Sequence, residues 1–484
     1  MLDGASPVPP PHFALPTLQK LTIRTFKGSS FRNWVGDSLF LSIVSVHLNY
    51  NVHCPSLPPL GQLPSLRELE IISFHVVETI GLEFYGEDYL HSTSFPSLEI
   101  LKFYEIPRWN KFYEFPHRAC MQGFPCLKEL HSSACPNLTE FLPDSRTLEL
   151  ITISGCRNLN FPENKLYTSL RNLDIYGAVS DSMESLSLDH FPNLNKLRLP
   201  GCGNIRQLTR GSSTEMMLET LEIKGCKKLE FIESLQCSSA RKLTIVKSCD
   251  SLKFFPLDYF PKLKSLDVRH CQNLESFTIT SDELVENSST VLHSLSSIKV
   301  IQCNKLRSLP AQMGTMLPSL GLFLIEECPE VEIFPQGSGF PSSLIHLLIS
   351  KCSRLVAQQA SWDLQRLAFL SSLTIEDCDD IVLESFPWGL LPTSLTSLSL
   401  QNLPHLKSLN GDAFRCVASP EELWTADCYE IQCLPEEVLH FASLVDLSIL
   451  YCPLLEQRYH RDKGVDWLKV SRIPRLKIQG NTTW

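Results

Sequence analysis

The chain has 484 residues, enough for about three domains of ordinary size, and 43% of them are hydrophobic, which suffices for a large buried core. It carries 43 Lys and Arg residues against 53 Asp and Glu residues, a formal net charge of −10. Nonspecific nucleic-acid binding normally needs a basic surface. We therefore expect no nucleic-acid partner.

The chain begins with a proline-rich stretch, residues 1–17, that we predict to be disordered. Met1–Phe13 has no basic start followed by an apolar run, so no signal peptide is visible. No window of the sequence approaches the roughly 18 apolar residues that a membrane-spanning helix requires. The sequence thus predicts a cytoplasmic protein without a membrane span, in a compartment that keeps thiols reduced.

A single phrase, L-x-x-L-x-I/L-x-x-C-x-x-L, recurs through residues 18–456. Successive cysteine positions are mostly 21 to 26 residues apart, and a longer gap between Cys271 and Cys303 predicts an insertion near Ser281 to Thr290. With its degenerate copies we count about eighteen repeats, and residues 457–484 form a closing segment. The copies include those that begin at Leu18, Ile43, Leu66, Leu98, Leu170, Leu218, Leu263, Leu320, Leu344, Leu395 and Leu444.

The first half of each repeat alternates apolar and other residues with period two, which predicts a short strand whose apolar side chains point inward. One repeat cannot bury that face alone, but stacked neighbours form a continuous core. Proline-containing phrases such as Phe255–Pro256 and Leu309–Pro310 suit irregular return segments. We predict an α/β leucine-rich-repeat solenoid, a horseshoe with a parallel sheet on its concave face and mostly loops and short turns or helices on its convex face.

The recurring cysteine stands just after the strand, where many leucine-rich repeats carry asparagine. A thiol is small, tolerates burial and is a weak hydrogen-bond donor. Disulfides between adjacent repeats are geometrically conceivable, but a reducing cytosol disfavours them. We predict a structural ladder of buried, reduced thiols comprising Cys135, Cys156, Cys202, Cys226, Cys249 (in a copy displaced by one residue), Cys271, Cys303, Cys328, Cys352, Cys378, Cys428 and Cys452.

Signatures of catalysis are missing from the sequence. It contains no G-x-x-x-x-G-K-[ST] loop, no G-x-S-x-G and no H-E-x-x-H, so we expect no enzyme activity and no cofactor. The nearest approach to a metal site is the run His117, Cys120, Cys126, His131 and Cys135. In the repeat register Cys135 points inward and His131 outward, so we expect no metal to bind there.

The outward positions of the predicted strands change along the chain. Early repeats present charged residues such as Glu68, Glu70 and Arg198, whereas later repeats present apolar ones. Apolar side chains on a solvated face often mark a contact site, although covering loops are the alternative interpretation. The candidate partner-binding residues on the concave face are Leu322, Leu324, His346, Leu348 and Trp424.

Three phrases carry a family resemblance that covers essentially the whole chain. Leu57–Leu66 reads LPPLGQLPSL and is followed by IGLEFYG from Ile80 and FPSL from Phe95. FRNWVGD begins at Phe31, with Arg32 where proline is usual, and the ending combines CPLLE from Cys452 with GVDW and IP. These phrases resemble the leucine-rich-repeat region of plant intracellular disease resistance proteins of the coiled-coil, nucleotide-binding, leucine-rich-repeat class.

The resemblance implies that the chain recognises a pathogen effector, or a host protein modified by one, in plant innate immunity. It also implies a second partner, the nucleotide-binding module of a full-length resistance protein. The sequence itself contains neither a coiled coil nor a phosphate-binding loop. We therefore expect the sensor half alone, and binding of ATP or ADP is not carried over.

Other functions fit the repeats less well. An adaptor of the F-box leucine-rich-repeat type needs a helical module before the repeats, and only 17 residues precede Leu18. An extracellular receptor would need a signal peptide and an L-x-G-x-I-P phrase, which the sequence lacks. A non-signalling, truncated resistance-protein fragment remains an alternative.

Overall fold

The computed structural model describes residues 2–3, 17–31, 34–86, 93–113, 123–139, 143, 145–161, 165–177, 183–211, 217–230, 238–279, 291–310, 313–332, 339–387 and 389–479. The chain divides into two compact units, Met1–Leu235 and Gln236–Trp484. Most of the start predicted to be disordered lies outside the described residues, as does the insertion predicted near Ser281 to Thr290. Leu2–Asp3 is a two-residue strand that pairs in parallel with Ile23 and Arg24.

The first unit is built on parallel strands of five residues, each paired with the next along the chain. The second and fourth residues of every strand are buried, as Leu221 and Ile223 illustrate. These strands are Lys20–Arg24, Ser45–Asn49, Glu68–Ile72, Ile100–Tyr104, Glu129–Ser133, Leu150–Ser154, Asn172–Tyr176, Lys196–Pro200 and Thr220–Lys224.

The second unit repeats this arrangement, except that Leu476 and Ile478 of its last strand are only half-buried. Leu347 and Ile349 are buried on one strand, as the period-two pattern predicts. The last strand belongs to the segment after residue 456 and covers the edge of the preceding one. The strands are Lys242–Val246, Ser265–Arg269, Ser297–Ile301, Leu322–Glu326, His346–Ser350, Ser372–Glu376, Ser397–Gln401, Glu422–Ala426, Asp446–Leu450 and Arg475–Gln479.

Where the structure describes the return segments, they hold only short elements, which confirms the prediction from their proline content. Two-residue and three-residue strands pair as Thr79–Ile80 with Lys111–Phe112, Ser185–Ser187 with Gln207–Thr209, Phe254–Pro256 with Ser276–Thr278, and Ser385–Phe386 with Ser408–Leu409. The 3-10 helices are Leu60–Gln62, Leu82–Tyr85, Leu188–His190, Leu257–Tyr259, Gln359–Ser361, Leu364–Arg366 and Gly411–Phe414. The α-helices are Met313–Met316, Ser353–Ala357, Glu436–Leu439, Pro453–Arg458 and Trp467–Val470.

After many of the strands, the next residue adopts a left-handed backbone conformation, with a φ of 49° at Lys351 and 53° at Tyr451. Its N–H continues the sheet ladder: the Lys351 N–H donates to the Glu376 carbonyl at 3.0 Å. The chain then turns inward and buries the next residue. A positive φ strains residues other than glycine, so the hydrogen bond offsets a local cost. Residue type does not mark this position, because Lys, Tyr, Asp and Glu all occupy it.

Candidate protein-binding face

The first, third and fifth residues of each strand form the outward face of the sheet, opposite the core. On this face the strand register pairs Leu322 with His346 and Leu324 with Leu348. Adjacent strands lie about 4.8 Å apart, so these four side chains form one group, here called the apolar cluster. Its three leucines are half-buried and His346 is exposed. The structure therefore brings together four of the five residues that the sequence marked as a candidate site.

Trp424, the fifth candidate, lies on the same face but outside the apolar cluster. The register runs from Leu348 through Thr374 and Ser399 to Trp424, so two strands intervene. Three strand spacings separate the strands of Leu348 and Trp424 by about 14 Å. Trp424 is 40% exposed, a large fraction for an indole ring. Trp424 is therefore a second apolar feature on the same face, separated from the apolar cluster by two strands.

Between these two features the outward side chains are small. The two intervening strands present hydroxyl residues in their first and third positions, and all of them are half-buried. Because a serine or threonine rises less far from the sheet than leucine or tryptophan, the surface is lower here. We call it the trough: Ser372, Thr374, Ser397 and Ser399.

Acidic side chains lie at the C-terminal ends of the strands that carry Leu324, Thr374 and Trp424. We call them the acidic edge: Glu326, Glu376, Asp377 and Asp427. All four are half-buried. Within the part of the chain that the structure describes, no Lys, Arg or His nitrogen forms an ion pair with any of them. Asp377 accepts a hydrogen bond from the Asn402 amide at 3.0 Å, and Lys351 is held instead by Glu327. Burial, together with Asp377 and Glu326, raises the pKa of Glu376.

The outward face of the first unit carries charged residues that pair across neighbouring strands. Lys102 contacts Glu68 at 2.7 Å, and His47 contacts Glu70 at 2.6 Å. The hydrogen bond from Lys102 holds the pKa of Glu68 below its usual value. Farther along, Arg198 lies between Asp174, at 3.6 Å, and Glu222, at 3.3 Å. Each of these carboxylates therefore has a cationic or histidine neighbour within the sheet.

All twelve cysteines of the predicted ladder are buried, and none of the described cysteines forms a disulfide. Several thiols donate to the carbonyl two residues earlier, as Cys452 does to Leu450 at 3.3 Å. Burial raises the pKa of Cys271 to about 12 and that of Cys378 to about 11. In the displaced copy the hydroxyl of Ser248 makes the equivalent bond, to Val246 at 2.7 Å, so Ser248 rather than Cys249 holds the ladder position.

The residues of the histidine and cysteine run that was considered for metal binding lie in different environments. His131 contacts Glu129 on the outward face at 3.2 Å, Cys135 is buried and Cys126 is exposed. His117 and Cys120 lie outside the described residues. Over the described ranges no three His, Cys, Asp or Glu side chains are grouped to hold a metal ion. In the same ranges no helix has the length and apolar character to cross a membrane.

The acidic edge and the trough were not found from the sequence. The trough residues are ordinary for outward strand positions, so their type carries no signal. The acidic edge depends on which cations reach which carboxylates across repeats roughly 25 residues apart. Reading the fifth and sixth strand positions as columns would have revealed the excess of carboxylates.

Comparison with known proteins agrees with the repeat pattern. Residues 13–74 match the family model for R13L1/DRL21 leucine-rich repeats, and residues 164–329 match that for leucine-rich repeats of plant disease resistance proteins like RPS2. Among solved structures, the TLR13–ssRNA13 complex gives a TM-score of 0.37 at 14% identity, covering 86% of this chain and 76% of that one.

Several relatives are plant proteins named for disease resistance. One from Arabidopsis thaliana is 28% identical over 454 residues, covering 82% of this chain and 31% of its own length. The RPP13-like protein 1 of the same plant is 32% identical over 251 residues, 49% of this chain and 23% of the relative. Disease resistance protein RGA2 of Solanum bulbocastanum is 27% identical, over 40% of this chain and 17% of the relative. The chain thus spans less than a third of the length of these relatives, and it is similar to the leucine-rich repeats of plant disease resistance proteins.

Proposed function

We propose that the chain is a recognition module of plant innate immunity that binds a protein through the outward face of its second unit. The partner would be a pathogen effector or a host protein modified by one, met in the cytoplasm. One observation supports this most directly: Leu322, Leu324 and Leu348 stand side by side on a face whose inward neighbours already fill the core. Apolar groups grouped on an otherwise polar surface commonly anchor protein interfaces.

The proposal assigns no chemistry to the chain. Leucine-rich repeats are typically recognition modules, and the candidate face of the second unit is lined by leucines, hydroxyls and carboxylates. In the first unit Ser45 Oγ lies 2.8 Å from His47 Nε2, and His47 Nδ1 lies 2.6 Å from Glu70, but this group is outside the proposed recognition surface. In a full-length resistance protein, the nucleotide-binding module would be a second partner. That contact is proposed from the family resemblance alone.

Glutamate substitutions in the apolar cluster test the proposal. We expect Leu324→Glu and Leu348→Glu to lower partner affinity by about a hundredfold, because each places a charge where an apolar anchor was buried. The matched control is Leu150→Glu, which changes a half-buried leucine at an outward position of the first unit. Proximity labelling in infected leaf tissue would recover proteins that the parent and the control retain and the two variants lose, and calorimetry would then measure their affinities.

Circular dichroism and a cooperative melt would establish that each variant is folded. A partner that binds all four proteins equally tightly would place the binding site elsewhere. A partner lost by Leu150→Glu as well as by the other two would show that the second unit has no special role.

A further inference from the structure

We propose that the partner offers a basic and apolar segment, in which lysine or arginine side chains stand beside apolar ones. This inference rests on the protein-binding function proposed above and names the chemistry that the same face would select. The apolar cluster and Trp424 would contact the apolar side chains. The acidic edge would receive the cations.

The acidic edge has no cation in contact with its carboxylates within the described residues. In the described part of the chain these four carboxylates form no ion pair: Glu376 accepts a hydrogen bond from Ser350, and Asp377 and Asp427 accept from Asn402 and Tyr429. Lys351 attracts Glu326 and Glu376 only from beyond ion-pair distance, because Glu327 holds its ammonium group. Half-buried carboxylates have lost part of their hydration without gaining a counter-charge in contact, which is unfavourable. A partner cation would remove that cost when it binds.

The paired carboxylates elsewhere serve as an internal reference. Glu422, on the same strand as Trp424, and Asp446, on the next strand, lie 3.9 Å and 3.0 Å from Arg475. Asp267, on the near side of the apolar cluster, lies 2.7 Å from Arg269. Among the half-buried carboxylates at the carboxyl-terminal ends of the described strands, those without an ion pair lie on the stretch of sheet that carries the apolar cluster, the trough and Trp424. Glu105 of the first unit, whose side chain accepts a hydrogen bond from Ser73, is exposed instead.

The strand Ser372–Glu376 connects the trough to the acidic edge. Ser372, Thr374 and Glu376 are successive outward residues of the strand next to Leu348, so the trough leads directly to a carboxylate. The aliphatic stem of a lysine or arginine can lie along a low surface while its charged end reaches an acceptor. A stem over Thr374 would bring that end to Glu376 and Asp377. The leucines on one side and Trp424 on the other would flank it.

The same charges disfavour other occupants. Nucleic acid would bring phosphates against carboxylates that have no counter-ion, and an acidic protein surface would be repelled in the same way. A basic segment gains from both the acidic edge and the apolar cluster.

The test uses the full chain and three synthetic peptides, measured by fluorescence anisotropy at near-physiological ionic strength. The probe alternates leucine with lysine, the second peptide has glutamate in place of each lysine, and the third has serine in place of each leucine. We expect the leucine–lysine peptide to bind most tightly and to weaken as salt is added. The paired substitution Glu376→Gln with Asp377→Asn should weaken it about tenfold, as expected for losing charge-assisted hydrogen bonds.

Asparagine tolerates the left-handed conformation that residue 377 requires, with its φ of 56°, so this variant should keep the fold. The control with the same change in net charge is Glu437→Gln with Asp462→Asn, two exposed residues away from the outward face. It should bind the probe as the parent does. An equal loss in this control would mean that only net charge attracts the probe, and the inference would be wrong.

Two further outcomes separate this inference from the proposed function. Equal binding of the glutamate peptide, with the uncharged change Leu348→Ser still weakening both, would overturn the basic partner and leave the protein-binding face intact. Undiminished binding of the leucine–lysine peptide to Leu348→Ser would instead overturn the face itself.

Discussion

The two units have the same interior and different outward faces. In the first unit, charged residues pair across neighbouring strands, as Lys102 does with Glu68 and Arg198 with Glu222. In the second, three leucines and a tryptophan share the face with the acidic edge, whose carboxylates form no ion pair within the described residues. Stacking constrains only the inward positions. The outward positions are free to differ, and the difference between the units is where a binding function would be encoded.

The comparison also shows why charge alone is a poor guide to a binding site. A partner that contacts the first unit must compete with ion pairs already made, and exposed pairs add little to affinity when exchanged for others. A partner that contacts the acidic edge breaks no ion pair among the described residues. The outward face of the second unit, whose acidic edge forms no ion pair, therefore has more to gain from a cationic ligand than the outward face of the first unit has.

The largest expected effect concerns the shared interior. Leu347→Ala in the second unit and Leu197→Ala in the first should each lower local stability by about 2–5 kcal/mol, because both remove a fully buried side chain and leave a cavity. Hydrogen exchange of the neighbouring strands would measure it, since each repeat depends mainly on its neighbours. Leu348→Ala, one residue along on the outward face, should cost less than about 1 kcal/mol.

If Leu348→Ala proved as costly as Leu347→Ala, the outward face of the second unit would be part of a core, covered by residues outside those described. The comparison between the units would then fail at its starting point, because Leu348 could not serve as an accessible contact.

The interior was the predictable part of the molecule, for a physical reason. Leu221, Ile223, Leu347 and Ile349 follow a spacing that only a buried strand face imposes, so their positions could be read from one repeat and transferred to the next. Ser248 was missed because a hydroxyl replaces the thiol one position earlier than the cysteine. The strand Arg475–Gln479 was not anticipated either, since its closing role leaves it outside the repeat phrase.

The candidate site was predictable only in part. The apolar cluster follows from the register, because outward residues of consecutive repeats must be neighbours. The separation of Trp424 from it also follows, once the two intervening strands are counted. Whether each carboxylate forms an ion pair does not follow from the register, because pairing depends on side-chain reach and burial across several repeats.

A second prediction concerns the thiols, which both units bury alike. Under native conditions Cys271 and Cys378 should react slowly with iodoacetamide, because burial blocks access and their raised pKa values, about 12 and about 11, leave little thiolate at neutral pH. Exposed Cys126 should be labelled first. Mass spectrometry of alkylated peptides gives the order, and rapid labelling of most ladder cysteines would show the ladder to be open to solvent.

The smallest expected effect compares one carboxylate from each face. At pH 7, Glu68→Gln should destabilise the first unit slightly, because it removes the partner of Lys102. Glu376→Gln should stabilise the second unit slightly, because it removes a half-buried charge without a cation. Each change should be within about 1 kcal/mol, as for other partly exposed groups. Hydrogen exchange of the flanking strands would again report both.

The pH dependence of these two variants should have opposite signs. The folded pKa of Glu68 is lowered, so its stabilising contribution is complete above the unfolded value of 4.5 and is lost as the pH falls through the folded pKa. The folded pKa of Glu376 is raised, so its protonated form favours folding below 4.5, and this contribution is lost as the pH rises through the folded pKa. Acidification from pH 7 should therefore remove the deficit of Glu68→Gln and also the advantage of Glu376→Gln. If both variants were destabilised at pH 7 and recovered together, Glu376 would have a cationic partner in solution, and the contrast between the two faces would be lost.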